Sequence, residues 1–138
     1  MKLNDMLAYK VAMLASDLSE SLACVYAPYQ LTMPQWRIMA TLGERKTGSL
    51  NAKEIVKATR LDKVKVTRAL QALAQKGFIE KAQNNQDGRL INVCLTSQGL
   101  DVFEAIRPLV EQWQKERLKA ITDDEYRIFL KVIDALTP

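Results

Sequence analysis

The chain has 138 residues, 48% of them hydrophobic, and a net charge of +4, which fits one domain with a substantial core and argues against a disordered chain. It has no histidine and only two cysteines, so the most common general base is absent, a disulfide framework or zinc site is excluded, and we expect neither an enzyme nor a cofactor. No apolar run reaches the ~18 residues of a membrane span, and the N-terminus lacks a signal peptide's apolar block, so we expect a cytoplasmic protein with no membrane partner.

The first predicted element is a long helix from Asn4 to about Tyr26. Apolar residues recur along it at spacings of three and four, and Pro28 ends it. A helix of this length exceeds what one small core can cover. We therefore expect part of its apolar surface to meet a second subunit, the alternative being a helix packed wholly within its own chain.

A second helix is predicted from Leu31 to Glu44. Thr32 and Gln35 form a capping box, in which each side chain satisfies the other residue's free backbone amide. The predicted core positions of this helix are Trp36, Ile38 or Met39, and Leu42.

The same capping device recurs at Asn51 and Glu54, and it predicts a short helix from Ala52 to Thr59. A few residues later Asp62 marks the start of another helix, which ends at Gly77. Two helices joined so closely form a helix-turn-helix, in which the first helix crosses the DNA backbone. Candidate phosphate contacts on that first helix are Lys53 and Lys57, which could equally be ordinary exposed lysines.

The helix after Asp62 has one apolar and one polar face. Its core stripe is Val66, Ala69, Leu70 and Leu73. Its other face is rich in hydrogen-bond donors and short of acids, as a helix that reads the major groove requires. The candidate DNA-binding residues of this helix are Lys63, Val64, Lys65, Thr67, Arg68 and Gln71. The alternative is a solvated basic face.

The basic charge is concentrated in this part of the chain. Between Lys53 and Leu90 there are nine cations and four acids, a net charge of +5, which leaves −1 for all other residues. A phosphate-binding surface requires this distribution.

A hairpin is predicted after Gly77. Its strands are Phe78 to Lys81 and Leu90 to Leu95, and the second strand places Ile91, Val93 and Leu95 on one face. The Asp87-Gly88 pair is the predicted turn, which puts Arg89 near the tip. Such a tip could lay Arg89 in the adjacent minor groove. A core-packed helix followed by a basic-tipped hairpin is the second half of a winged helix-turn-helix.

Two long helices complete the chain. The first is predicted from Thr96 to Ala120 with a kink before Pro108, and the second from Asp123 to Leu136. The last helix carries a wide apolar stripe of Tyr126, Phe129, Leu130, Ile133 and Leu136. We therefore assign residues 1–30 and 98–138 to dimerisation and 31–97 to DNA binding, within one structural domain.

Three stretches of this sequence resemble the MarR family of bacterial transcriptional regulators. LTMPQWRIMATL resembles the opening of the family's second helix, LDKVKVTRALQALAQKGFIEK its recognition helix and first wing strand, and DGR with INVCLTSQG its wing tip and the entry to the fifth helix. The resemblance implies a mainly α fold with a small β-hairpin wing (α+β). The sequence departs from the family at Val64 and Lys65, because family members often have small hydroxyl residues at these two positions. The operator sequence of a relative therefore cannot be assumed for this chain.

The resemblance also implies a mechanism. A homodimer would bind a pseudo-palindromic operator in double-stranded DNA, with Arg89, held by Asp87, in the minor groove. Such regulators, bound to the nucleoid in the bacterial cytoplasm, commonly repress genes until a small phenolic or aromatic ligand, or an oxidant, reaches a cleft. Candidate ligand-binding residues are Tyr29, Met33, Trp36 and Met39, which could also be core residues.

Two other functions remain open at this point. A winged helix can bind protein instead of DNA. Cys24 or Cys94 could act as a redox trigger, although a buried structural cysteine is the default expectation and a reactive thiol needs exposure and a lowered pKa.

Overall fold

The computed structural model describes residues 1–44, 48–82 and 90–138. Over these residues the secondary structure comprises six α-helices and one two-stranded antiparallel sheet. The helices are α1 (Leu7–Tyr26), α2 (Met33–Gly43), α3 (Ala52–Thr59), α4 (Lys63–Gln75), α5 (Ser97–Leu118) and α6 (Asp123–Leu136). The strands are β1 (Ile79–Lys81) and β2 (Val93–Leu95). The predicted fold class, mainly α with a small β-hairpin, is confirmed.

The predicted helix starts follow from capping side chains that the structure contains. Thr32 Oγ1 accepts a hydrogen bond from the Gln35 amide at 3.4 Å, and Gln35 Oε1 accepts one from the Thr32 amide at 3.3 Å. Equivalent boxes begin α3 and α6. Each box satisfies two backbone amides that the helix itself leaves without partners, which fixes where the helix begins.

The start of the first helix was predicted too early. Leu3–Asp5 forms a 3-10 turn, and Met6 is extended with φ −82° and ψ 122°, so α1 begins at Leu7 and not at Asn4. At its other end α1 passes directly into a second 3-10 turn, Ala27–Tyr29, which contains Pro28.

The second strand is shorter than predicted. The hairpin pairs Ile79 with Leu95 and Lys81 with Val93, but Leu90 and Ile91 are exposed and lie outside the strand. The prediction that Ile91 shares one face of this strand with Val93 and Leu95 is therefore wrong, because Ile91 precedes the strand. On the edge of β2 that faces away from β1, Val93 exchanges two backbone hydrogen bonds with Leu50, of 2.8 and 3.0 Å. The predicted wing tip, with Asp87 and Arg89, lies outside the described residues.

A single core cluster joins the helices. Its members from α1, α2, α4 and α5 include Tyr26, Ile38, Leu73 and Ile106, all almost completely buried. The ring of Trp36 stacks between those of Tyr26 and Phe103, with centroids 5.9 Å away on each side. Such aromatic pairs add about 0.5–1.5 kcal/mol each beyond the area they bury. The stack therefore fixes α2 between α1 and α5.

The last two helices are continuous. Pro108 lies inside α5 without interrupting it, so the helix runs for 22 residues. Helix α6 has no buried residue, and its predicted apolar stripe is largely exposed: Phe129, Leu130, Ile133 and Leu136. Among the described residues, no helix is both long and apolar enough to cross a membrane.

Candidate nucleic-acid interface

Helices α3 and α4 are joined by a tight turn. Arg60 has a left-handed backbone, with φ 58°, and ends α3. The Thr59 hydroxyl donates to the Ile55 carbonyl at 2.7 Å and accepts from the Leu61 amide at 3.3 Å. Asp62 then caps α4 by accepting from the Lys65 amide at 2.8 Å. These contacts give a helix-turn-helix with α4 as the recognition helix.

The two faces of α4 are as the sequence predicts. Val66, Ala69 and Leu73 are buried in the core, and Leu70 is half-buried. The six predicted DNA-binding positions are all exposed: Lys63, Val64, Lys65, Thr67, Arg68 and Gln71. Val64 is 58% exposed although it is aliphatic. The recognition helix therefore presents an apolar group among several donors, which suits the mixed chemistry of a major-groove edge.

The cations of this face are unengaged within the described part of the chain. There, the ion pairs all lie in α5, at its C-cap residue Lys119, or in α6, and none involves Lys53, Lys63, Lys65 or Arg68. Their positive charge is thus available to an external anion. Thr67 differs, because its hydroxyl donates to the Lys63 carbonyl at 2.9 Å and offers a partner mainly acceptor capacity.

Lys76 does not belong to this exposed set, although the sequence counts it in the same basic segment. Its ammonium donates to Gln35 Oε1 at 2.9 Å and to the Gln30 carbonyl. Sequence reasoning missed this contact because Gln35 is 41 residues away.

A cleft of about 850 Å³ lies between α2 and α5 and is also lined by the start of α6. Its walls include Trp36, Ala40, Phe103, Arg107, Val110, Leu118 and Ile121. Of the four predicted ligand-binding residues only Trp36 lines it. Met39 is completely buried, and Tyr29 and Met33 are half-buried against the core. The wall from α5 was missed, although Phe103, Arg107 and Val110 recur at helical spacing.

The polar groups of the cleft are partly paired. Arg107 lies 2.9 Å from Glu104 and 4.0 Å from Glu111, both exposed neighbours on the same helix. Gly43 faces the cleft where α2 approaches α5, and a Cβ there would lie 2.6 Å from the Phe103 ring. Glycine at this position therefore lets α2 and α5 approach closely enough for Trp36 and Phe103 to form an aromatic floor of the cleft.

The two cysteines differ in their surroundings. Cys24 is exposed, which contradicts the default expectation of a buried thiol, and Cys94 is half-buried in β2. Burial raises the pKa of the Cys94 thiol, and the Glu80 carboxylate nearby raises that pKa further. A raised pKa lowers the thiolate fraction, so the surroundings of Cys94 disfavour redox reactivity. Among the described residues no group of cysteine and acidic side chains could hold a metal ion.

Comparison with known proteins agrees with this geometry. The family model described as MarR family matches residues 31–91. The HTH-type transcriptional regulator BilQ of Clostridioides difficile is 30% identical over 104 residues, which are 75% of this chain and 69% of that protein. In three further curated regulators the match spans 51% to 64% of their length.

Solved structures give the same result. A cysteine variant of MarR from E. coli in complex with operator DNA has a TM-score of 0.85 and 25% identity, over 96% of this chain and 94% of that chain. NadR in complex with 4-hydroxyphenylacetate has a TM-score of 0.79 over 95% and 92% of the chains, and at 18% identity this likeness shows the fold. The sequence, the fold and these relatives together show that the chain belongs to the MarR family of winged helix-turn-helix transcriptional regulators.

Proposed function

We propose that the protein is a homodimeric, sequence-specific DNA-binding repressor of the bacterial cytoplasm, released from its operator by a small aromatic ligand, with no catalytic role. The observation that carries this proposal is the exposed face of α4, where donors and unengaged cations surround Val64 on a helix fixed by its opposite face. A protein-binding winged helix would more often expose apolar or acidic residues there.

The DNA-binding residues have different roles in this proposal. Lys53 on α3 and Lys63 and Lys65 at the start of α4 contact phosphates, and Arg68 contacts the edge of a base, for which guanine is the preferred partner of arginine. Thr67 and Gln71 complete the contacts along the groove. For Arg89 and Asp87 the proposed minor-groove contact rests on the sequence, that is, on the predicted turn and on the family resemblance, because both residues lie outside the described part of the chain.

The exposed surface supports a dimer. The chain exposes 10216 Å², whereas a compact monomer of its mass exposes about 7,200 Å². The excess of about 3,000 Å² per protomer, or about 6,000 Å² for two protomers, lies at the upper end of the total area that obligate dimers bury. Exposed apolar residues at the start of α1, such as Leu7 and Val11, and along α6 supply suitable surface. We therefore propose that residues 1–30 and 98–138 form the dimer and 31–97 bind DNA.

The cleft between α2 and α5 is the proposed effector site. Trp36 and Phe103 form an aromatic floor, and NadR of the same fold is known in complex with 4-hydroxyphenylacetate. The two recognition helices of a dimer must lie about 34–36 Å apart to enter successive major grooves. A ligand that favours another spacing of α2 and α5 would lower DNA affinity, with a coupling of about 1–3 kcal/mol.

Fluorescence anisotropy with a labelled duplex from upstream of the protein's own gene tests the proposal. We expect specific affinity in the nanomolar range and a steep decrease with salt. Lys63→Ala should reduce the slope of log K against log salt by about 1.8, because each of the two protomers loses one phosphate contact. Lys131→Ala, which removes an exposed cation of α6, is the matched control and should leave the slope unchanged. Equal affinity for the upstream duplex and a scrambled one would refute the proposed function.

The effector site has its own test. The chain has two tryptophans, so Trp113→Phe leaves Trp36 as the only indole reporter. We expect 4-hydroxyphenylacetate and related aromatic acids to quench Trp36 emission and to weaken DNA binding at the same concentrations. Quenching by none of them, with DNA binding intact, would argue against an aromatic ligand in this cleft.

A further inference from the structure

The C-terminal end of the recognition helix is held by a contact that the DNA-binding proposal does not use. Lys76 is the C-cap residue of α4, and its ammonium reaches back to the start of α2. There it donates to Gln35 Oε1 at 2.9 Å and to the carbonyl of Gln30. We call these two hydrogen bonds the Lys76 bridge.

The acceptors of the Lys76 bridge are held firmly. Gln35 is 8% exposed and lies in the first turn of α2, where its Oε1 also accepts from the Thr32 amide. Gln30 has a left-handed backbone, with φ 60°, at the end of the turn before α2. A charged donor to a buried amide oxygen forms a stronger hydrogen bond than a neutral one. The charge of Lys76 therefore serves an internal contact, and no described acid pairs with it.

The same end of α4 is also fixed from the side of α5. The Thr96 hydroxyl donates to the Gly77 carbonyl at 2.6 Å, and the Thr96 amide donates to the Phe78 carbonyl at 3.0 Å. Thr96, the N-cap residue of α5, therefore holds the segment directly after the recognition helix by two hydrogen bonds. The Lys76 bridge and Thr96 hold this end from two different helices.

Because the C-terminal end of α4 is held, a change of tilt at that end moves the residues at the other end of the helix, which face DNA. Val64 and Lys76 are separated by twelve residues, which is about 18 Å along an α-helix. A tilt of about 5° at the held end would move the first turn of α4 by about 1.6 Å. Hydrogen bonds to base edges weaken steeply over such a distance, whereas attraction to phosphate changes little.

We propose that Lys76 is a positioning residue for operator recognition, which sets the tilt of α4 against α2 and does not itself contact DNA. The inference rests on the proposed function. It predicts that loss of the Lys76 bridge reduces discrimination between DNA sequences and leaves the general attraction to DNA intact.

The test compares Lys76→Met with Lys65→Met on the upstream duplex and on a scrambled duplex over a salt series. We expect Lys76→Met to lower operator affinity about tenfold or more, the cost of about one mismatched base pair, with scrambled-duplex affinity and salt slope unchanged. Lys65→Met removes a cation from the DNA-facing side of the same helix. It should reduce the salt slope by about 1.8 on both duplexes, about 0.9 for each protomer of the dimer.

A second substitution tests the partner side chain. If Lys76 acts through Gln35, the double variant Lys76→Met with Gln35→Met should lose no more operator affinity than the weaker-binding single variant. Additive losses would overturn the inference. So would a Lys76→Met protein with parental operator affinity, or one whose salt slope falls as in Lys65→Met, because that result would make Lys76 a phosphate contact.

A measurement without DNA separates this inference from the proposed function. Hydrogen exchange in the full-length protein should become faster in residues 63–77 of Lys76→Met and stay unchanged in α6. Exchange equal to that of the parent would overturn the inference whatever the DNA result. A parent protein that fails to distinguish operator from scrambled duplex would refute the proposed function. The comparison of hydrogen exchange between Lys76→Met and the parent would still test whether the Lys76 bridge holds α4.

Discussion

Replacement of Phe129 by alanine should weaken the dimer and, through it, operator binding. Phe129 is 43% exposed in the protomer, which corresponds to about 85 Å² of a side chain of about 200 Å². At about 25 cal/mol per Å², burial of this area contributes about 2 kcal/mol per protomer and about 4 kcal/mol per dimer. The dissociation constant of the dimer should therefore rise about 1,000-fold.

Sedimentation equilibrium over a concentration series measures this change directly. Lys131→Ala is the matched control, because it shortens an exposed side chain on the other side of α6 and should leave the dimer intact. The operator affinity of Phe129→Ala should fall at concentrations where the protein is monomeric and recover where it is dimeric. A parental dissociation constant for Phe129→Ala would refute the assignment of α6 to the interface.

Three further predictions concern the rest of the chain. Arg68→Ala should lower operator affinity by about 1–3 kcal/mol for each half-site and relax sequence preference at one base pair in each half-site, measured by binding to a set of single-base operator variants. Gly99→Ala should lower the melting temperature in circular dichroism, because a Cβ there would lie 2.0 Å from the Phe78 carbonyl oxygen, and an unchanged melting temperature would contradict the close approach of α5 to this segment. Cys94 should react with iodoacetamide more slowly than Cys24 at pH 7, because its raised pKa keeps the thiol protonated; the rate at Cys94 should rise as pH rises towards that pKa, and equal rates at pH 7 would contradict this reasoning.

The helix starts were predictable because their causes are local. Thr32 and Gln35, like Asn51 and Glu54, lie three residues apart, and each pair satisfies amides within the same turn. The apolar period of α4 was predictable for a similar reason, since one face of a regular helix must meet the core. The first helix start was wrong because Met6 is extended, and no side chain near Asn4 signals that break.

The candidate site was only partly predictable. The exposed donors of α4 follow from its own period, so Arg68 and its neighbours could be named from the sequence. The cleft could not, because its second wall comes from α5, which begins to line it at Phe103, about 70 residues after Trp36 in the chain. Met33, Trp36 and Met39 of α2 were recognised as candidates, but which of them faces the cleft depends on how α2 is rotated against Phe103.

The sequence by itself determined the order and type of the elements, the helix caps and the basic face of the recognition helix, since these depend on interactions within one or two helical turns. The tertiary structure decided that Lys76 turns inward to Gln35, that Val93 is paired on both edges, and that α2 and α5 form the cleft. Apart from the pairing of Val93 with Lys81 within the hairpin, these contacts join residues 40 or more positions apart, and their free energy comes from packing that no local pattern records. Whether a cation of this segment faces DNA, as Lys65 is proposed to do, or positions the helix, as Lys76 is proposed to do, is therefore decided by the tertiary structure.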